Sequence, residues 1–261
     1  MSIPEAERTV VPVVDAYTHW AKTYDTDGNF LQKVDDELVT EVLALPSFLG
    51  SPASPPKRIV DLGCGTGRNT VKLLAYPGVE KVLGLDVTQS MLDVAKTRPE
   101  LAQGIQDGRL VLGIWDLLNT DPAPAIDDAD GGVAADAIIS TLVLEHLPSL
   151  STFFHRARTL LRKDPGAWIF VTNMHPTLGV ATGANFVSDT GERRWTEKFV
   201  WSAEDVVSAA RETGFKVMEG VGDDGKGVWT RTVRDEAHGG PKAGKWIGKE
   251  VLFAVALVAQ V

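Results

Sequence analysis

Apolar positions in the first 45 residues recur with the spacing of α-helices. The stretches VVPVVDAYTHWAKTYD and NFLQKVDDELVTEVLAL carry apolar residues three and four positions apart, which places them on one face of a helix. The turn around Asp27 and Gly28 separates the two stretches. The pattern predicts two amphipathic helices that form an N-terminal cap over residues 1–50, after which the proline- and serine-rich SPASPP interrupts the chain.

The middle of the chain alternates short apolar runs with helical patterns. One such pattern, PSLSTFFHRARTLLRKD, ends in basic residues that complement a helix dipole. Strands that alternate with helices indicate a parallel sheet with helices on both faces. We therefore predict a doubly wound α/β fold with its core at 57–175. The runs that predict strands are RIVDLGC, VEKVLGLDV, GRLVLGIWDLL, AADAIISTLV and GAWIFVTNM.

The last third of the chain has a looser pattern. A glycine- and aromatic-rich stretch over 176–201 predicts a loop, and SAEDVVSAARETGF then predicts a helix capped by Ser202 and ended by Gly214. FKVMEGV and KEVLFAVALVAQ supply the last strands of a mostly parallel, seven-stranded sheet, joined by an irregular connection over 221–249. We interpret the chain as a single domain in which 176–261 form the substrate side and the final strands.

Composition limits the partners of this chain. It has 26 basic and 35 acidic side chains and a net charge of −9, so its surface repels nucleic acids and anionic membranes. The single cysteine, Cys64, excludes intramolecular disulfides and cysteine-rich metal sites, and we expect no metal. Without a secretory signal or a run of about 20 apolar residues, we expect a cytoplasmic protein, monomeric or weakly self-associating.

The stretch DLGCGTGRNT carries the most informative chemistry. A predicted strand ends in Gly63, Gly65 and Gly67 and a helical pattern follows, an arrangement that brings bare backbone up to a ligand. The next strand ends in Asp86, which is placed to accept hydrogen bonds from both hydroxyls of a ribose. A dinucleotide fingerprint would need glycine where this chain has Arg68. A nicotinamide-dependent oxidoreductase is therefore the weaker hypothesis.

Four segments in sequence order resemble the class I S-adenosylmethionine-dependent methyltransferases. They are VDLGCGTGRNT, LGLDVTQSML, GIWDLL and DAIISTLVLEHLP, within about residues 58–175. The resemblance implies S-adenosylmethionine as the cofactor, S-adenosylhomocysteine as its product, and a Rossmann-like sheet beneath the helical cap.

The resemblance also implies which residues contact the cofactor. Asp86 would bind the ribose and Asp116 would bind the adenine amino group. The three glycines would let the backbone approach the cofactor closely. For Met91 and Trp115, and for Trp20 and Tyr24 one helical turn apart, a place in the core explains the sequence equally well. The implied contacts are Trp20, Tyr24, Asn29, Asp61, Gly63, Gly65, Gly67, Asp86, Val87, Met91, Trp115, Asp116, Thr141 and Leu142.

Candidates for proton transfer are few. His146 in VLEHLP, and Asn173 and His175 in NMHP, follow predicted strands at the sheet edge where α/β proteins bind ligands. An ordering role in its loop is the alternative for His146. Methyl transfer depends largely on alignment, so a thiol or a neutral amine needs no dedicated base.

The cap and the segment FVWSAEDVVSAARETGF resemble stand-alone methyltransferases of fungal secondary metabolism that act on thiols or amines. This resemblance implies a small-molecule acceptor, with a thiol of a natural product as the first choice. Aromatic residues outside the predicted sheet favour an apolar, enclosed acceptor site. The alternatives are N- or O-methyl transfer to a small metabolite, and a catalytically silent regulator that binds S-adenosylmethionine.

Overall fold

The computed structural model describes residues 9–50, 56–119, 134–188 and 190–260. The first eight residues of the predicted cap and most of the SPASPP stretch lie outside this part of the chain. The described strands are β1 Thr9–Val11, β2 Arg58–Leu62, β3 Lys81–Asp86, β4 Leu110–Ile114, β5 Ala137–Thr141, β6 Trp168–Met174, β7 Asn185–Val187, β8 Arg193–Thr196, β9 Phe215–Val217, β10 Val228–Thr232 and β11 Glu250–Ala259.

The described helices are between four and fourteen residues long. None of them is both long and apolar enough to cross a bilayer. They are α1 Val13–Trp20, α2 Phe30–Leu43, α3 Arg68–Leu74, α4 Gln89–Lys96, α5 Pro99–Gln106, α6 Leu150–Leu160, α7 Pro176–Gly179, α8 Ala203–Glu212 and α9 Glu236–Gly239.

The main sheet has eight strands, seven of them in the order β10-β11-β6-β5-β2-β3-β4, with β9 paired to β11. The neighbours from β6 to β4 run parallel, whereas β11 is antiparallel to β6, β9 and β10. Strand β2 lies inside the sheet, where Ile59 faces Val82 on one side and Ala137 on the other. The predicted mostly parallel α/β fold is confirmed, and all seven predicted strands are present.

Both faces of the sheet are covered, which explains why its strands read as continuous apolar runs. In β2, Ile59 packs into a cluster with residues of α2 and α3. The next residue, Val60, packs into the opposite cluster with residues of α6 and α8. The carboxyl ends of β2, β3, β4 and β5 therefore emerge together at one edge of a rigid, two-faced core.

The sequence also locates helix α8. The Ser202 side chain accepts from the Asp205 amide, and the Asp205 carboxylate accepts from the Ser202 amide, which is a capping box. Gly214 follows the helix with φ of +84°, a conformation that glycine adopts without strain. The predicted start and end of this helix are confirmed.

Two predictions for the last third of the chain are wrong. The connection over 221–249 contains β10, α9 and a 3₁₀ turn at Pro241–Trp246, so it is not irregular. The stretch 176–201 contains α7, β7 and β8, and the latter two strands join β1 in a second sheet of order β1-β8-β7. These strands are three to five residues long, too short for a clear periodicity.

Candidate active site

A cavity of about 250 Å³ opens at the carboxyl ends of β2, β3, β4 and β5, beneath helix α1. Open α/β sheets bind ligands at this edge. The turns after the four strands and the cap all contribute to its wall. The lining residues are Pro12, Val13, Val14, Tyr17, Tyr24, Leu62, Gly63, Gly65, Leu85, Asp86, Val87, Thr88, Met91, Trp115, Asp116, Leu117, Leu118, Asn119, Thr141, Leu142, Val143, His146 and Leu147.

The three glycines of the first turn exclude a side chain for different reasons. All three have positive φ. A Cβ at Gly63 would lie 2.3 Å from Val143 Cγ2, and one at Gly67 would lie 2.2 Å from Leu101 Cδ1, so protein atoms fill those spaces. At Gly65 nothing lies within 4 Å of the added Cβ, and this residue lines the cavity. Gly65 therefore exposes its backbone to the open space of the cavity, whereas Gly67 does not line the cavity.

Asp86 ends β3 with its carboxylate fixed at the wall of the cavity. One oxygen accepts from the Gly65 amide at 2.8 Å and the other from the Thr88 amide at 2.8 Å. Burial raises the pKa of Asp86, and these backbone hydrogen bonds oppose the shift. Each carboxylate oxygen can accept a second hydrogen bond. The group is thus oriented before a ligand arrives and keeps acceptor capacity for two hydroxyls.

Asp61 lies behind the glycine turn and does not line the cavity. Its side chain is fully buried, and one oxygen accepts from the Thr70 hydroxyl at 2.6 Å. The other oxygen has no hydrogen-bond partner among the described residues. Burial raises the pKa of Asp61 to about 7, although Thr70 and Arg68 lower it. Buried polar groups are nearly always paired, so this oxygen calls for a donor from a ligand or from a water molecule.

The residues predicted for the adenine come together at the ends of β3 and β4. Val87, Met91, Trp115 and Asp116 all line the cavity. Met91 and Trp115 are buried, and they form the apolar part of this wall. The Asp116 carboxylate accepts from the Leu118 amide at 2.9 Å, which holds it in place at the rim. The four side chains form a slot that is apolar except for one acceptor.

Thr141 and Leu142 form the opposite end of the cavity, where β5 ends. The Thr141 hydroxyl accepts from Asn69 at 2.9 Å. Leu142 has φ of +56°, a left-handed conformation that costs a non-glycine residue about 1–2 kcal/mol. Such strain is concentrated at ligand sites. Both residues line the cavity.

Helix α1 and the segment after it close the cavity with aromatic rings. Tyr17 and Tyr24 both line it, with ring centroids 5.8 Å apart. Trp20 and Asn29 do not, because the Trp20 indole donates to Asp27 at 2.9 Å and Asn29 caps α2 by accepting from the Leu31 amide. The sequence reasoning overlooked Tyr17, although it lies three positions before Trp20 on the same helix face.

The Tyr17 hydroxyl and Nε2 of His146 share a hydrogen bond of 2.8 Å at the cavity wall. Burial raises the pKa of Tyr17 well above 10, so its hydroxyl keeps the proton. Burial lowers the pKa of His146 to about 4, and a backbone interaction with Glu197 offsets only part of this. The imidazole is therefore neutral at pH 7, with one proton on Nδ1 or Nε2.

The two other residues predicted for proton transfer do not reach the cavity. Asn173 is buried and accepts from the Glu145 amide at 3.1 Å, which orders the loop that carries His146. His175 caps α7 through its ring nitrogen and faces the Glu250 carboxylate at 3.4 Å. The chain turns away from the cavity after β6, so of the three candidates only His146 lines it.

A buried ion pair that the sequence reasoning missed fixes the cap to the core. Asp35 on α2 is fully buried, accepts from Arg68 at 2.8 Å and also accepts from the Thr172 hydroxyl on β6. The sequence contains one indication that Asp35 is buried. Asp35 lies four positions from both Leu31 and Val39, so it belongs to the apolar face of α2.

Together these residues fit S-adenosylmethionine. The observation that supports the fit best is the open space beside Gly65, next to a carboxylate that two backbone amides already orient. The buried, unpaired oxygen of Asp61 and the apolar slot around Met91 agree with it.

Comparison with known proteins gives a consistent result. The family described as "Methyltransferase domain" matches residues 33–219. An uncharacterised methyltransferase of Emericella nidulans is 37% identical over 266 residues, which cover 94% of this chain and 90% of that protein.

Two solved structures share the fold. An S-adenosylmethionine-dependent methyltransferase from Mesorhizobium loti superposes with a TM-score of 0.58 at 19% identity, over 87% of this chain and 99% of that one. The complex of DhpI with S-adenosylhomocysteine gives a TM-score of 0.57 at 16% identity, over 94% and 93% of the two chains. At these identities the likeness concerns the fold alone.

Proposed function

This chain belongs to the S-adenosylmethionine-dependent methyltransferases, and we propose that its acceptor is a thiol on a small organic molecule. When bound, S-adenosylmethionine supplies a methyl group on a positively charged sulfur. Asp86, Gly65, Met91, Trp115 and the residues beside them would hold it.

The observation that best supports this proposal is that a weak base, His146, lies in an apolar part of the cavity wall. Burial lowers the pKa of His146 to about 4 in the free protein, so proton transfer to His146 is least unfavourable from the most acidic acceptor. Thiols ionise near pH 8.5, whereas phenols ionise near pH 10. A thiol is therefore the neutral S–H or O–H acceptor that such a base serves best.

The surroundings of His146 favour the same acceptor. The neighbouring lining residues Val13, Val14, Val143 and Leu147 are apolar. A thiol is weakly hydrated, so its entry into an apolar site costs less than the entry of an alcohol or a charged amine. The cavity thus suits a small, largely apolar molecule that carries a sulfur nucleophile.

The charge of the chain supports a free small molecule over a nucleic acid as the acceptor. A net charge of −9 repels phosphate backbones. We propose that the acceptor is met in the cytoplasm as a free metabolite.

A matched set of acceptors tests the proposal. Purified enzyme with methyl-labelled S-adenosylmethionine and a metal chelator is offered benzyl mercaptan, benzylamine, benzyl alcohol, phenol and phenylacetate, together with a small aryl dithiol. We expect label in the thioethers. Label confined to the phenol or the carboxylate would contradict the thiol assignment. Cofactor binding by calorimetry, with no label in any acceptor, would instead favour the silent regulator.

A further inference from the structure

The contact between Tyr17 and His146 joins two parts of the chain that are 129 positions apart. Tyr17 lies on α1 in the cap, and His146 ends a 3₁₀ turn, Leu144–His146, that follows β5. The two rings also meet edge to face, with centroids 5.3 Å apart. Both side chains line the cavity, so a molecule bound there touches both members of the pair.

The direction of this hydrogen bond depends on which ring nitrogen of His146 carries the proton. We assign the single proton of neutral His146 to Nδ1, because Nε2 already faces the Tyr17 hydroxyl and the Glu197 backbone favours a protonated ring nitrogen. Tyr17 keeps its proton, so in this tautomer the hydroxyl donates to Nε2. A phenolic oxygen that donates one hydrogen bond still has lone pairs that can accept another. The Tyr17 oxygen can therefore accept from a group in the cavity while it donates to His146.

The electrostatic surroundings hold the pair in this state. The titratable groups that act on Tyr17 are Tyr24 in the cap, Glu145 beside His146, Asp86 at the end of β3 and Asp27 after α1, and all of them raise the pKa of Tyr17. For His146, the effect of burial exceeds that of the Glu197 backbone. A tyrosinate would thus be disfavoured, and Tyr17 must gain a proton whenever it gives one up.

We propose that Tyr17 accepts the proton of the methyl acceptor and passes its own proton to His146. This inference rests on the proposed function. The acceptor's X–H bond breaks and its proton goes to the Tyr17 oxygen, while the Tyr17 proton goes to Nε2 of His146. The electron pair left on X forms the bond to the methyl group, and the pair of the old methyl–sulfur bond stays on sulfur.

The balance of charge in the cavity makes the relay feasible. Neutral His146 does not repel a positively charged donor. Positive charge leaves sulfur in the same step in which His146 gains a proton, so the net charge enclosed in the cavity is constant. The cost of burying an imidazolium, which keeps the pKa of His146 low in the free protein, is then offset by the loss of the sulfonium charge.

The simpler role for Tyr17 is structural, as a contact that keeps α1 on the core. The pH dependence separates the two roles. In Tyr17→Phe the relay is lost, and we expect kcat with benzyl mercaptan at pH 7 to fall about 100-fold or more, as for loss of general base catalysis. In this variant kcat should rise with pH until the acceptor ionises by itself, whereas the wild-type rate should be flat between pH 6 and 8.

The matched control is Tyr76→Phe, because Tyr76 lies outside the cavity. This variant should keep the wild-type kcat and pH profile. S-adenosylhomocysteine should bind to Tyr17→Phe within about threefold of wild type. A loss of kcat that is the same at every pH, or a kcat within threefold of wild type, would overturn the relay.

A second measurement does not depend on the acceptor. In protein with ¹⁵N-labelled histidine, we expect the His146 signals, identified by their loss in His146→Gln, to show an unprotonated, hydrogen-bonded Nε2. The Nε2 signal should move to the value of a free lone pair in Tyr17→Phe. A proton on Nε2 in the wild type would exclude the relay whatever the acceptor is. If the thiol is not methylated but these spectra are as expected, only the acceptor assignment fails.

Discussion

Glu145 carries a carboxyl group that the described residues do not fully pair. The side chain is buried beside His146, and Oε2 has no partner among the described residues. Burial raises the pKa of Glu145 to about 7, and the nearby Asp35 contributes to the increase. An ionised carboxylate at this position is unfavourable, so the charge of Glu145 opposes folding at neutral pH.

Glu145→Gln tests this effect through the pH dependence of stability. Because the pKa of Glu145 is raised in the folded state, the folded chain binds more protons than the unfolded chain between about pH 4.5 and 7. Its contribution to the free energy of unfolding therefore falls as pH rises through that window. The free energy of unfolding of the variant, taken relative to wild type, should therefore increase by about 3 kcal/mol between pH 4.5 and 8. Each unit of pKa difference between the two states contributes about 1.4 kcal/mol.

Urea denaturation at the two pH values measures this gain. The control is Glu219→Gln, which changes an exposed residue in the turn after β9 and should shift both values equally. An equal difference between Glu145→Gln and wild type at pH 4.5 and 8 would show that folding does not raise the pKa of Glu145.

Part of the candidate site could be predicted residue by residue. Gly65 and Asp86 follow from local chemistry, since a glycine turn and an acid at the next strand end are together typical of a nucleoside site. Tyr17 could not be assigned, because its role depends on His146 far along the chain. His175 does follow a strand end, as the sequence predicts, but the turn into α7 after that strand carries it away from the cavity.

At the scale of elements, α2 is attached to the core by a charge on its apolar face. Asp35 is fully buried and binds Arg68, while its neighbour Asp36 is half-buried and binds Arg68 and Lys72. Loss of one partner from a buried pair leaves an uncompensated charge, whereas pairs near solvent contribute little. The two adjacent aspartates therefore have different energetic roles.

Substitution of each aspartate by asparagine measures the difference. We expect Asp35→Asn to lower the free energy of unfolding by about 2–4 kcal/mol, somewhat less than for an isolated pair because Arg68 keeps Asp36. Asp36→Asn should cost less than about 1 kcal/mol. Chemical denaturation at pH 7 gives both values. Equal costs would mean that Asp35 is not the anchor of α2.

The elements that the sequence did not reveal are those held by distant partners. Strand β1 pairs with β8, so that Val10 faces Trp195 from the other end of the chain. Strand β10 pairs with β11 and has an irregular register between Arg231 and Thr232. Neither strand has an apolar alternation long enough to identify it. The central strands, by contrast, are buried on both faces and could be recognised from composition alone.

At the scale of the whole molecule, the site exists because a parallel sheet brings separate strand ends to one edge. The turn after β2 contributes Gly65, β3 contributes Asp86, the segment after β4 contributes Trp115, and β5 contributes Thr141. Helix α1 covers the opening with Tyr17. The half of this cavity at the strand ends could be predicted from the sequence, whereas the half under the cap depends on long-range packing.

All of the assignments in this cavity depend on Asp86 holding the adenosyl group of the methyl donor at this edge of the sheet. Titration calorimetry with S-adenosylhomocysteine gives the sharpest test, in wild type, Asp86→Ala and the control Asp93→Ala, which changes an exposed residue of α4 outside the cavity. Loss of hydrogen bonds to a charged group costs about 1.5–3 kcal/mol. We therefore expect the affinity of Asp86→Ala to fall about 10- to 100-fold and that of Asp93→Ala to stay at the wild-type value. A folded Asp86→Ala that binds as tightly as wild type would refute this placement of the methyl donor.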